Sequence, residues 1–275
     1  MKKIFLALSC IAAMASSAQL KMPAPSPTQT IKQDFGLSSI ELTYSRPGMK
    51  GRKIFGDLVP YGEMWRTGAN AATRIKFGED VTIGGQAVKA GEYALYTIPN
   101  QNEWEIILNK GVTNGGLNGY KKEEDVTRFK VKPTSLPAPV ETFTMEIGEI
   151  KPSSSELQLK WENTAVKVPI TTDVDTKVMG QINDIMNKDN RPYFQSAMYY
   201  IESGKDMKQA LAWFDKAIEQ NPKGFWIYHQ KANALVKMGK KDEAKIVAQK
   251  SMDIAREEKN DDYVRLNEKL LATLK

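Results

Sequence analysis

The 275 residues are 41% hydrophobic and 26% charged, a globular balance that excludes wholesale disorder. The formal charge of +6 is spread over both halves without a basic block, so nucleic acid is not an expected partner. One histidine and one cysteine are too few for a disulfide framework or a zinc site built on either residue type.

Residues 1–18 open with Lys2 and Lys3, continue through an apolar run over 4–14 and close on Ser16-Ser17-Ala18. That order is the pattern of a secretory signal, with cleavage expected after Ala18. The run is about half the roughly 20 residues that a membrane-crossing helix needs. Cys10 lies inside it and lacks a leucine three positions earlier, which disfavours a lipoprotein. Export to the periplasm or cell exterior is therefore expected, with no membrane span after cleavage. Loss of Lys2, Lys3 and Cys10 lowers the formal charge from +6 to +4 and leaves a chain without cysteine. A proline-rich stretch over 19–29 follows.

Between residues 30 and 170 apolar side chains recur with period two: Ile40, Leu42, Tyr44; Ile75, Phe77; Trp104, Ile106, Leu108; Phe143, Met145, Ile147; Leu157, Leu159, Trp161. These are strands with one buried face. Gly84-Gly85 fits a two-residue hairpin turn, and Glu162-Asn163 is expected to turn a second hairpin. Residues 93–98 are apolar on both faces and read as a central strand. About nine short strands predict an antiparallel β-sandwich or jelly-roll-like barrel, the β part of an α+β multi-domain chain.

The connection over 44–70 is long for a compact domain, which marks it as functional. It holds Tyr44, Arg46, Arg52, Tyr61, Trp65 and Arg66, with Glu63 and Asn70 in the same segment. Guanidinium groups offer a planar fork of donors to carboxylate or phosphate oxygens, and the aromatic rings can stack on a sugar or an apolar body. These eight residues are the candidate ligand-binding set, for an anionic or glycan ligand. The alternative is that the arginines pair with Glu63, Asp57 or Glu41 to hold the loop down while Trp65 fills the core.

Residues 111–119 hold four glycines without a lysine followed by Ser or Thr, so they are a hairpin connection and no phosphate-binding loop. At Thr171 the pattern turns helical. Thr172 and Asp175 have capping-box spacing, and Val178, Ile182 and Ile185 follow at helical intervals, giving a linker helix within 171–190. Asp173 and Asp175 open like a calcium loop, but Val178 and Asp184 stand where glycine and glutamate belong.

In 191–275, Ala210, Phe214, Ala217 and Pro222 stand at the spacing of a second repeat helix and its closing proline, with Ala232, Gly239 and Ala244 in a second unit. This resembles tetratricopeptide repeats, although Ala248 replaces the position of Phe214 in the second unit. The resemblance implies protein or peptide contacts. Helices near 172–188 and 261–273, or the β-domain, are expected to cover the exposed ends of the pair. His229, in this tail, reads as a packed or solvated helix residue.

Further motifs run in order through the β-domain: Tyr44-Ser45-Arg46-Pro47, Gly51-Arg52, Leu58-Val59-Pro60-Tyr61-Gly62, Trp65-Arg66-Thr67-Gly68-Ala69-Asn70, Ala90-Gly91-Glu92-Tyr93 and residues 104–109. Over about residues 25–170 they resemble the secreted bacterial family known as domain of unknown function 2911. The resemblance implies export and a β-rich domain, often with a helical repeat tail, and no activity.

Catalytic classes narrow accordingly. With its one histidine in the tail, the β-domain lacks the base of a serine or cysteine nucleophile. Paired carboxylates remain open, since Asp57, Glu63, Asp80, Glu92 and Glu103 are present in number. The expected function is a secreted or periplasmic binding or scaffold protein, without a cofactor or metal. The alternative is a carboxylate-dependent hydrolase or isomerase acting on an envelope glycan or lipid.

Overall fold

The computed structural model describes residues 22–186 and 191–274. The expected signal at 1–18, the start of the proline-rich stretch and the last residues of the linker helix lie outside the described residues. The chain divides into two compact units after Val174.

The first unit is a two-sheet β-sandwich. Its strands are β1 (Thr28–Phe35), β2 (Ser38–Ser45), β3 (Thr73–Phe77), β4 (Val81–Ile83), β5 (Gln86–Val88), β6 (Gly91–Ile98), β7 (Trp104–Asn109), β8 (Asp125–Val131), β9 (Pro133–Gly148) and β10 (Ser154–Thr171). One sheet has the order β1-β2-β3-β6-β7-β8 and the other β5-β4-β10-β9, with antiparallel pairing throughout both. The two sheets stay separate and neither closes on itself, so the barrel alternative is not formed.

The period-two residues meet between the sheets as the sequence pattern dictates. Ile40 and Leu42 of β2 stand opposite Phe77 and Ile75 of β3, and they pack with Trp104, Ile106, Phe143, Met145, Leu159 and Trp161 in one core. Strand β6 is central and buried on both faces. Tyr93 and Leu95 enter this core, while Ala94 and Tyr96 form a second cluster with Ala72 and Ile107 on the other face. Gly84 and Gly85 turn the β4–β5 hairpin with φ of +56° and +82°, a conformation that glycine adopts without steric cost.

Glu162-Asn163 does not turn a hairpin. Strand β10 runs through it for 18 residues, with register shifts against β9 on both sides of Glu162 and Glu162 at φ +51°. The polar pair is a bulge that bends a long strand. Its partner β9 escapes notice because Pro133, Pro137 and Pro139 interrupt its alternation, which an edge strand tolerates.

The second unit holds α1 (Val174–Met186), α2 (Tyr193–Glu202), α3 (Met207–Gln220), α4 (Phe225–Lys237), α5 (Lys241–Glu257) and α6 (Asp261–Thr273). Helices α2/α3 and α4/α5 are the two repeat hairpins. Fully buried Ala197, Ala210, Ala232, Ala244 and Ala248 permit close helix approach. Asp206 caps α3 by accepting from the Lys208 and Gln209 amides. Helix α6 covers the second hairpin, where Leu270 and Leu274 pack with Leu235 and Ala244. His229 of α4 is buried, its Nδ1 2.8 Å from Asn267 Oδ1 of α6. Thr172 and Asp175 do not close the expected reciprocal cap. The Thr172 hydroxyl donates to the Asp80 carbonyl, and the Asp175 carboxylate accepts from Tyr199 and Lys205.

Candidate functional site

The long connection divides into a strap and a loop. The strap, residues 44–49, lies along the outer edge of β9. Edge strands leave every second residue's backbone groups without a ladder partner, and here alternate residues of β9 are satisfied one after another. The Met145 amide donates to the Tyr44 hydroxyl (2.8 Å), the Phe143 amide to the Pro47 carbonyl (2.9 Å), and the Met49 amide to the Glu141 carbonyl (2.8 Å). Arg46 donates from Nε to the Phe143 carbonyl (3.2 Å) and from Nη2 to Thr144 Oγ1 (2.9 Å). Tyr44 and Arg46 thus join the six-stranded sheet to the edge of the other. Burial, the largest influence on Tyr44, pushes its hydroxyl above the ordinary value, so the proton stays on.

The loop, residues 50–72, closes one end of the sandwich. Ile54, Phe55, Val59 and Trp65 point into the core. Trp65 pairs by its backbone with Thr97 of β6 in both directions, at 2.7 and 3.0 Å. Its ring stacks on Trp161 at 5.7 Å and meets Phe143 edge-on at 5.0 Å. Trp65 therefore fills the core, as one alternative held. Thr67 is fully buried at φ +55°, a conformation that a β-branched residue enters only under strain. Its hydroxyl meets Thr97 Oγ1 at 3.1 Å, and its carbonyl accepts from the Thr73 hydroxyl.

Over this end lies a cavity of about 370 Å³, lined on its polar side by Ser26, Arg52, Glu63 and Arg66. Its apolar lining includes Pro47, Leu58, Met64, Trp65, Leu117 and Trp161. Leu58 and Leu117 are both 44% exposed and form an apolar rim. Arg52 is anchored by its own loop, donating to the Met49 (2.9 Å) and Gly48 (2.7 Å) carbonyls. Arg66 rests over Gly116, where a Cβ would come within 2.8 Å of its Nη1. The connection carrying Gly116 and Leu117 is held to the sheet by Arg128, which donates to Asp125 (2.6 Å), Glu105 (3.2 Å) and Tyr120 (2.5 Å).

Of the eight candidate residues, Arg52, Glu63, Trp65 and Arg66 line this cavity. Tyr44 and Arg46 belong to the strap. Tyr61 borders a separate polar cleft with Asn100 and Gln101. Asn70, at φ +60°, ties the loop to the Ser26 carbonyl and the Ser45 hydroxyl. Among the described residues none of the three arginines forms an ion pair, so the proposed pairing with Glu63, Asp57 or Glu41 does not hold the loop. Arg46 and Arg52 are anchored by carbonyl oxygens instead, with the Thr144 hydroxyl as a further partner of Arg46.

Leu117 and Trp161 were not in the candidate set. They arrive from the connection after β7 and from β10, and no local pattern ties them to the loop. Glu63 is the one acid among the lining residues, so chemistry by paired carboxylates lacks its second member there. Among the described residues no cluster of three His, Cys, Asp or Glu side chains is placed to hold a metal, and no helix is long and apolar enough to cross a membrane.

Comparison with protein families gives three matches. The model described as protein of unknown function (DUF2911) covers residues 26–170, and two tetratricopeptide repeat models cover 191–223 and 213–246. The order and extent agree with the resemblances read from the sequence. No curated protein matches the chain.

Proposed function

The chain belongs to the family described as protein of unknown function (DUF2911), and we propose that it is a non-catalytic binding protein with a small-ligand cavity on its sandwich. The ligand is an organic anion with an apolar body. The observation that carries this reading is the pair of guanidinium groups, Arg52 and Arg66, beside an otherwise mainly apolar cavity and outside any ion pair among the described residues. Such a site binds an anion by charge and its body by burial. A glycan fits less well, because few of the lining residues can serve hydroxyl groups.

The tetratricopeptide repeats suit a scaffold role with protein contacts. The reading includes export, which rests on the order of charged, apolar and small residues over 1–18.

A thermal-shift screen of small organic anions on the full chain tests the cavity. A ligand at about 100 times its Kd adds about 2.7 kcal/mol to the folded state. The stabilisation should be lost in Arg66→Ala and weakened in Arg52→Ala. If every ligand that stabilises the parent stabilises both variants equally, the cavity is not its site.

A further inference from the structure

Glu63 and Arg66 stand three residues apart on either side of buried Trp65, and both line the cavity. Glu63 is exposed and Arg66 half-buried, so water screens their mutual attraction and nothing forces them to close on one another. Among the described residues neither side chain takes part in an ion pair or hydrogen bond. The segment that carries them is anchored. Trp65 is fixed between them by its two hydrogen bonds to Thr97, its ring is held in the core by Trp161 and Phe143, and Arg66 is seated over Gly116. The cavity therefore keeps a carboxylate and a guanidinium available together, with Leu58, Met64 and Leu117 as apolar wall.

We propose that this cavity binds a zwitterion, an apolar amino acid or short peptide, with its carboxylate at Arg66 and its ammonium at Glu63. The proposal rests on the reading of the cavity as an anion-binding site and adds the second charge. A ligand carrying only a negative charge gains Arg66 but meets the repulsion of Glu63. One carrying both charges satisfies each partner by a charge-assisted hydrogen bond. Arg52 adds a second positive charge at the wall, which sets the orientation by favouring the carboxylate end. The volume of about 370 Å³ lies near the lower end of small-molecule sites, roughly 300–1,000 Å³, and matches one or two residues better than a longer peptide.

The test is calorimetric titration of the full chain with three related probes. These are L-phenylalanine with both charges, 3-phenylpropanoate with the anion alone and phenethylamine with the cation alone. L-Phenylalanine should bind on the order of ten-fold more tightly than either half-ligand, the effect of one charged hydrogen bond. Glu63→Gln should move the two anionic probes in opposite directions, weakening L-phenylalanine and tightening 3-phenylpropanoate. Arg66→Ala should weaken both. Unchanged thermal unfolding of unliganded Glu63→Gln, an exposed position, shows that its fold is intact. If 3-phenylpropanoate binds as tightly as L-phenylalanine, or Glu63→Gln shifts both probes alike, the zwitterion is wrong while anion binding stands. If no probe binds, the amino-acid class is overturned, and the wider anion screen decides the cavity.

Discussion

Replacing Tyr44 with phenylalanine removes one oxygen atom, keeps the ring, and tests whether Tyr44 is part of the strap or a ligand contact. The ring sits edge-on to Phe143 at 5.8 Å and keeps that packing in Tyr44→Phe, so no cavity is made. What goes is the acceptor for the Met145 amide at 2.8 Å and one donated bond, since the Met145 carbonyl and Gln29 Oε1, both at 3.0 Å, compete for a single proton. Met145 is 1% exposed, so its amide finds no water in exchange. An orphaned buried donor costs about 1–3 kcal/mol. Taking about 2 kcal/mol, the sandwich should melt about 4–8 °C lower, and the Met145 amide should exchange hydrogen about 30-fold faster. Near-UV circular dichroism of the aromatic core and amide exchange read the two effects separately. Ligand affinity should be unchanged because Tyr44 does not line the cavity. Stability within about 0.5 kcal/mol of the parent, the range of ordinary surface substitutions, would refute the strap.

Two further outcomes concern the helical unit. Asn267 is fully buried and joins three helices, meeting His229 Nδ1 at 2.8 Å and donating to Ser251 Oγ at 2.9 Å; Asn267→Leu should cost about 2–3 kcal/mol by leaving His229 unpartnered, read as a fall of at least about 8 °C in far-UV melting. Asp175 accepts from Lys205 (2.8 Å) and Tyr199 (2.7 Å), and the Lys205 bond, then the Tyr199 bond, holds its carboxyl below the usual range. A carboxyl lowered on folding stabilises above its unfolded pKa, and the gain disappears as pH falls through the folded one. Stability of Asp175→Asn should therefore decline less steeply on the acid side than that of the parent, and coincident acid limbs in urea unfolding would remove the argument.

The sandwich was legible because one face of each long strand is buried, and period two records that directly in Ile40, Leu42 and Tyr44. The repeat hairpins were legible for a similar reason: alanines at Ala210, Ala217 and Ala232 are spaced by the helices they let approach. What stayed hidden is non-local. The unusual composition of residues 44–70 marked the right segment, yet it could not separate Arg46, whose partners lie in β9 about a hundred residues later, from Arg66, which faces the cavity. Both are arginines beside glycine and aromatic residues. Only the position of the β9 edge distinguishes them, and the proline-interrupted sequence of β9 conceals that edge. Glu162 misled for the complementary reason, since a polar pair between apolar runs is common to a hairpin turn and to a bulge in a continuous strand.

Strap and cavity are mechanically one object. The Glu141 carbonyl of β9 accepts both the Met49 amide at 2.8 Å and Trp161 Nε1 at 3.1 Å, so the edge that the strap covers also fixes the ring beneath the cavity. Arg52 is oriented by the Gly48 and Met49 carbonyls of that same strap. Trp65, stacked on Trp161, and Arg66 are followed directly by Thr67, which holds a positive φ while fully buried. A chain optimised only for stability would place glycine or asparagine at Thr67. The surrounding hydrogen bonds to Thr97 and Thr73 instead over-determine the strained geometry, at a cost of order 1–3 kcal/mol. Backbone strain gathers in functional segments, and Thr67 adjoins Arg66, which supports the proposed ligand site at this end of the sandwich.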